Sequence, residues 1–172
     1  MSNLLPKIYV ICTAASDAGV RHGAWINAYQ DVEEIEADVQ CMLASSPFPE
    51  SEGYDIYDSL DFGELEILTC ESLKNVSEWA KFIVKHGRLG SKVIDYVGGN
   101  LEEATRMMEE CYYGTYSSES AFVESIFEQA TDIPAHLQNY IDYQAMARDW
   151  FISDFVSLKL KHKHEVHVFS QY

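Results

Sequence analysis

Residues 7–14 read KIYVICTA, and residues 21–28 read RHGAWINA. The first run is β-branched and apolar, as a buried strand requires. Ser16-Asp17-Ala18-Gly19 is a run of turn residues, so Arg21 to Ala28 reads as the returning strand of a hairpin. Asp31 then offers a side chain that caps a helix. Val32, Ile35, Val39, Met42 and Leu43 recur at helical spacing and form one apolar face, while Glu33, Glu34 and Asp38 fall largely on the other. Glu34 and Asp38 are like charges at i, i+4, which costs the helix about 0.2–0.5 kcal/mol. Ser45-Ser46-Pro47-Phe48-Pro49 ends it, and Tyr54 to Asp58 (YDIYD) alternates as a third strand. A β-β-α-β opening of this kind sets the fold class as α+β.

Downstream the periodicity changes. Asp61 to Leu68 fits either a loop or a strand. Leu73, Val76, Trp79, Ala80, Ile83 and Val84 form an amphipathic helix that ends near His86-Gly87. A short helix from Ser91 to Tyr96 stops at Gly98-Gly99, and Asn100 can cap another from Leu101 to about Cys111. Tyr112 to Ser117 (YYGTYS) is aromatic and extended. Ser118 caps a helix carrying Phe122, Val123, Ile126 and Phe127, Pro134 can start a further helical turn, and Ile141 to Ile152 reads as helix. Phe155 to Leu160 and Glu165 to Phe169 are two alternating strands around Lys161-His162-Lys163-His164. The pass predicts three small units in series: an N-terminal α+β domain over 1–69, a central helical domain over 70–111, and a C-terminal α+β domain over 112–172.

The chain has 172 residues, 47% hydrophobic and 13% aromatic, enough to build a core. Its 28 acidic and 12 basic residues give a formal charge of −16. That charge is larger than solubility requires. It argues against a nucleic-acid-binding surface, which would be basic, and against binding an anionic membrane. The N-terminus lacks the basic and apolar regions of a signal peptide, and no run is long enough to span a membrane. Cys12, Cys41, Cys70 and Cys111 are widely spaced, as expected of buried thiols in a reducing cytoplasm.

The acids are concentrated. Between Arg21 and Lys74 there is no Lys or Arg, yet that stretch holds thirteen acids: Asp31, Glu33, Glu34, Glu36, Asp38, Glu50, Glu52, Asp55, Asp58, Asp61, Glu64, Glu66 and Glu71. Between Arg106 and Arg148 there are seven more: Glu109, Glu110, Glu119, Glu124, Glu128, Asp132 and Asp142. Apolar residues interleave with them at structured periods, so the acids are held on folded surfaces.

Catalytic signatures are absent. There is no P-loop, dinucleotide-binding glycine pattern, nucleophile elbow or zinc-protease helix. Six histidines offer one candidate cluster, His162, His164 and His167: on a strand His162 and His164 would share a face with His167 pointing away, and a turn of the chain between them could converge all three. No acid or cysteine stands at zinc-like spacing from them, so neither a metal nor a cofactor is expected. Cys41 or Cys111 as a nucleophile would need a base that the sequence does not reveal. Asp55 with Asp58 as a hydrolytic pair carries little information in so acidic a chain.

Duplex DNA presents one negative charge per ~1.7 Å, so sixteen charges match roughly 27 Å of duplex and two chains match about 54 Å. A rigid carboxylate surface of that density would compete for a DNA-binding groove and could not be cut. The alternative is an acidic adaptor that binds a basic protein without DNA-like geometry. A small carboxylate hydrolase is a third reading.

Several stretches carry a family resemblance: KIYV and HGAWINA near the N-terminus, EGYDIYD at the third strand, VGGNLEEA and YYGTYSS in the middle, IPAHLQNYIDYQAMARDWFIS, and VHVF near the C-terminus. In this order they resemble the ArdA antirestriction proteins. The chain departs from the family after Ser153, where members often continue Ser-Gly-Asp and this one passes directly to Asp154. The resemblance implies a non-enzymatic DNA mimic carried by mobile elements. It would occupy the DNA groove of type I restriction-modification enzymes, on the methyltransferase core with its specificity subunit, and block restriction, whether or not modification is blocked as well. It also implies an elongated chain of three small domains, and a homodimer joined through the third. Leu137 to Ser153 corresponds to the family's antirestriction motif.

On this reading Asp31, Glu33, Glu34, Asp38, Glu50, Glu52, Asp55, Asp58, Asp61, Glu64, Glu66, Glu109, Glu110 and Glu119 face the partner. Tyr140, Ile141, Asp142, Tyr143, Met146, Arg148, Asp149, Trp150 and Phe151 form the motif and dimer contact, with Arg148 and Asp149 in internal pairs. Residues 112–172 are rich in aromatics, from Tyr112, Tyr113 and Tyr116 to Phe169 and Tyr172, and carry Arg148, Lys159, Lys161 and Lys163. Two chains of −16 should meet where acids are fewest and apolar area is greatest.

Overall fold

The structure, a computed structural model, describes residues 4–48, 52–134 and 136–171. Glu50 and Tyr172 lie outside the described residues. Helices and small antiparallel sheets make up the chain, as an α+β class requires. Two compact units are present, Met1–Leu101 and Glu102–Tyr172.

In the first unit, strand β1 (Lys7–Cys12) lies between β2 (Gly23–Asn27) and β3 (Tyr54–Leu60), all antiparallel. Alternation sends Ile8, Val10, Ile26 and Ile56 into the core. Tyr9, Trp25 and Tyr57 stand on the opposite face. A bulge at Tyr9/Val10 makes Tyr57 the extra residue, since Tyr9 faces Asp58 and Val10 faces Ile56. Gly23 lets the strands close, because a Cβ there would stand 2.5 Å from the Val10 carbonyl oxygen. The first strand is shorter than expected. It ends at Cys12, where Thr13–Asp17 winds into a single helical turn, α1, whose Ala15 N–H meets the Cys12 thiol at 3.4 Å.

Helix α2 (Val32–Ala44) covers the inner face with Ile35, Val39, Met42 and Leu43 buried. Glu34 reaches back to accept from the Asp31 N–H at 3.2 Å, half of a capping box. Helix α3 (Leu73–Tyr96) begins at Ser72, whose hydroxyl accepts from the Asn75 N–H at 3.1 Å. The two helices expected here are one element broken at Gly87, with φ +66° and ψ −151°, a conformation glycine adopts without strain. Val76, Ala80 and Ile83 on the first arm and Val93 and Ile94 on the second are fully enclosed. The ambiguous segment 61–68 is a loop. Its Glu64 and Leu65 N–H groups donate to the buried Ser91 hydroxyl at 2.7 and 3.3 Å, so α3 satisfies donors that a neighbouring strand would otherwise take.

The second unit contains α4 (Leu101–Glu110) from its second residue on, β4 (Tyr112–Tyr116), α5 (Glu119–Ala130), a 3-10 turn (Gln138–Tyr140), α6 (Tyr143–Ser153), β5 (Phe155–Lys159) and β6 (Val166–Ser170). Its sheet has the order β4-β6-β5, antiparallel throughout. Phe122, Val123, Ala147, Val166 and Val168 form the core. The Phe122 ring meets Phe155 at 4.8 Å, Tyr116 at 5.0 Å and Phe151 at 5.9 Å, edge to face.

The structure differs from the sequence expectation at two places in this unit. Helix α6 starts at Tyr143 rather than Ile141, because the Asp142 carboxylate caps it by accepting from the Ala145 N–H at 2.9 Å. The turn after Pro134 places the 3-10 element at Gln138–Tyr140, after the Leu137 N–H donates to the Pro134 carbonyl at 2.8 Å. His162 and His164 lie in the β5–β6 turn, between the two strands expected on either side of 161–164, and His162 has φ +63°. The direct Ser153-Asp154 junction is accommodated: the Asp154 N–H closes α6 onto Trp150, and its carbonyl accepts from the Gln171 N–H at 2.8 Å.

His167 on β6 places Nδ1 2.8 Å from the Tyr112 hydroxyl and 3.2 Å from Thr115 Oγ1. Burial lowers its pKa, and Glu165 only partly opposes this. As pH falls, the unfolded chain therefore takes up this proton first. Stability is full above the ordinary histidine value of about 6.5, falls as pH drops through it, and levels off below the folded pKa. Thermal unfolding between pH 8 and 5.5 should show this slope in the wild type and a flatter one in His167→Gln. Equal slopes would assign the titration elsewhere.

Candidate functional site

The acids of the first run come from three elements. Asp31, Glu33, Glu34 and Asp38 cap or ride on the solvent side of α2. This follows from its sequence, since the apolar stripe that docks α2 leaves the glutamates and aspartates on the opposite side. Glu52 is exposed just ahead of β3, which carries Asp55 and Asp58. Asp61, Glu64 and Glu66 lie on the loop that Ser91 anchors. In the second unit, Glu109 and Glu110 end α4 and Glu119 opens α5.

In sequence the first run holds no cation. In space α3 supplies two. Lys81 Nζ lies 2.6 Å from Asp31, and Lys92 Nζ lies 3.4 Å from Glu64 and 3.3 Å from Asp95. The hydrogen bond to Asp31 raises the Lys81 pKa. Partial burial works against the Lys92 charge, but Asp95 and Glu64 outweigh it and its pKa also rises. Glu64 is largely covered, with a side-chain exposure of 13%.

Other acids are engaged by neutral donors. Asp38 accepts from Gln30 Nε2 at 2.8 Å, Asp58 from the Ser59 N–H at 2.8 Å, and Glu119 from the Ser157 hydroxyl at 2.6 Å. Asp61 accepts from the Leu5 N–H at 3.4 Å. By contrast, Glu33, Glu52, Asp55, Glu66 and Glu110 make no hydrogen bond or ion pair with a described residue. The described acids among those picked from sequence thus divide into some that hold the fold and some that are left to water. The acidic field also reaches the sheet: partial burial and then Glu36 raise the Tyr54 phenol pKa.

The motif residues divide similarly. Tyr143, Met146, Trp150 and Phe151 pack against their own unit's core. Tyr140, at 85% exposure, and Ile152, at 77%, stand in solvent, and Ile141 is half-buried. Arg148 and Asp149 are exposed and form no ion pair with a described residue, contrary to the internal pairing expected. The aromatic face of the first sheet is a feature that sequence reading missed. The alternation in KIYV, which buries Ile8 and Val10, is the signal that turns Tyr9 outward.

Among the described residues no group of three His, Cys, Asp or Glu side chains could hold a metal ion. Among them, too, no helix is long and apolar enough to cross a membrane. A comparison with curated proteins gave no match. The family model described as Antirestriction protein (ArdA) matches residues 8–161, which include both sheets up to β5 and nearly every acid considered above. The chain belongs to the ArdA antirestriction protein family.

Proposed function

We propose that this protein blocks type I restriction-modification enzymes by occupying their DNA groove as a DNA mimic, with no chemistry of its own. The observation that supports this reading is the set of carboxylates left without a protein partner: Glu33 on α2, Glu52 and Asp55 at β3, Glu66 on the loop, and Glu110 on α4. Helix and strand hold Glu33, Asp55 and Glu110, and the Ser91-anchored loop carries Glu66, so little order is lost on binding at these positions. Lysines and arginines of a groove shaped for phosphates would meet them, and association would be steered by the field. The proposal keeps the threefold division into 1–69, 70–111 and 112–172. An adaptor without DNA-like geometry would use the same charges but would not displace duplex DNA.

The partition of acids yields a graded expectation. Glu33→Gln, Glu52→Gln, Asp55→Asn and Glu66→Gln should each weaken binding to a type I methyltransferase by less than about tenfold and make it less salt-dependent, and the effects should accumulate when combined. Glu64→Gln should change stability more than binding, because Lys92 already neutralises it. Titrations from 50 to 300 mM salt measure this. Complete loss from one unpaired acid in a folded variant would mean that a specific carboxylate acts alone.

We also propose a homodimer joined through residues 112–172. Tyr140 and Ile152 are the most exposed of the large apolar groups of the motif, ahead of Leu137. Substituting them with Glu should yield a folded monomer, whereas Phe151→Glu should damage the fold. Sedimentation and circular dichroism decide this. A dimer that survives both exposed substitutions would place the contact elsewhere.

A further inference from the structure

The outer face of the first unit's sheet differs from the acidic surfaces. Tyr9, Trp25 and Tyr57 are neighbours on it, with ring centroids 5.3 Å apart and tilted by 45° for Tyr9–Trp25, and 6.4 Å apart and edge to face at 78° for Tyr9–Tyr57. Trp25 is 49% exposed and Tyr57 71%. Beside them opens a cavity of about 420 Å³, bounded by Tyr9, Ile11, Val20, Arg21, His22 and Tyr57. That volume is within the range of small-molecule sites.

Arg21 is the sole Lys or Arg between Lys7 and Lys74. In a chain with 28 acids it is exposed and makes no ion pair or hydrogen bond with a described residue. His22 is held in place, with Nε2 2.7 Å from the Met42 carbonyl oxygen. No carboxylate lines the cavity. Asp55 sits next to it, opposite Ile11 in the β1–β3 register, half-buried and without a hydrogen-bond or ion-pair partner among the described residues.

Three chemistries therefore converge. Flat π-faces favour a planar ring. A free guanidinium favours a phosphate, which it can bind through two parallel hydrogen bonds. A partly desolvated carboxylate beside them needs a donor such as a hydroxyl. We propose that this cavity binds a nucleoside monophosphate, with the base stacked on the exposed face of Tyr57, the phosphate on Arg21, and a ribose hydroxyl donating to Asp55. The net charge of −16 opposes an anion, as do Asp17, beside the lining residue Ser16, and Asp58, opposite Tyr9 in the register, so the Arg21 guanidinium is the group that must offset them. The site does not depend on the DNA-mimic reading.

The test is an amide NMR titration of the full chain with adenosine 5′-monophosphate, adenosine and inorganic phosphate in separate arms. The nucleotide should give saturable shifts at Ile11, Val20, Arg21 and Tyr57. Adenosine should move the same signals with lower affinity, and phosphate alone should not saturate them. Arg21→Gln and Tyr57→Ala should each weaken nucleotide binding about tenfold or more, with the remaining spectrum unchanged. No saturable shift at millimolar nucleotide would overturn the proposal. So would phosphate matching the nucleotide, or binding indifferent to both substitutions.

Discussion

Like-charge repulsion is the constraint on which the rest of this structure depends. Twenty of 28 acids lie in two runs without Lys or Arg, so each run must be held together by something other than its own charges. The answer is apolar burial directly beneath the acids. Ile35, Val39, Met42 and Leu43 anchor α2, and Phe122 and Val123 anchor α5. Burying one such side chain contributes about 1.5–3 kcal/mol, several times the cost of an unfavourable i, i+4 charge pair. Lys81 and Lys92 relieve the remaining strain at Asp31 and Glu64.

This arrangement separates two roles that look identical along the chain. Asp31, Glu34 and Asp142 spend their carboxylates on caps or an ion pair, and Glu119 on a neighbouring hydroxyl. Glu33, Glu52 and Glu66 are exposed and unengaged among the described residues. A mimic requires the second class, because a partner's arginine competes poorly for an oxygen that already accepts a short hydrogen bond.

Much of the fold was legible from periodicity. The hairpin of β1 and β2, the Asp31 cap, the stripe of α2 and the paired C-terminal strands follow local rules that neighbours did not override. What escaped were features set by distant residues. Ser91 decides that residues 61–68 are a loop, from 26 and 27 positions away. Lys81 reaches Asp31 across 50 positions. For the motif, spacing alone could not tell an internal core from a subunit contact. Trp150 and Phe151, half-buried, pack against the core, while Tyr140 and Ile152 stand in solvent. The paired state of each acid was likewise invisible, since it depends on which side chains fold back onto it.

The central claim is that the acids compete for a groove built for DNA. A gel-shift competition measures this most directly, using a type I methyltransferase with its specificity subunit bound to labelled duplex carrying its recognition site. Added protein should release the duplex and form a complex with the enzyme that excludes DNA, at a concentration that rises with the amount of duplex present. A ternary complex of enzyme, duplex and this protein, with the duplex retained at saturation, would contradict the account.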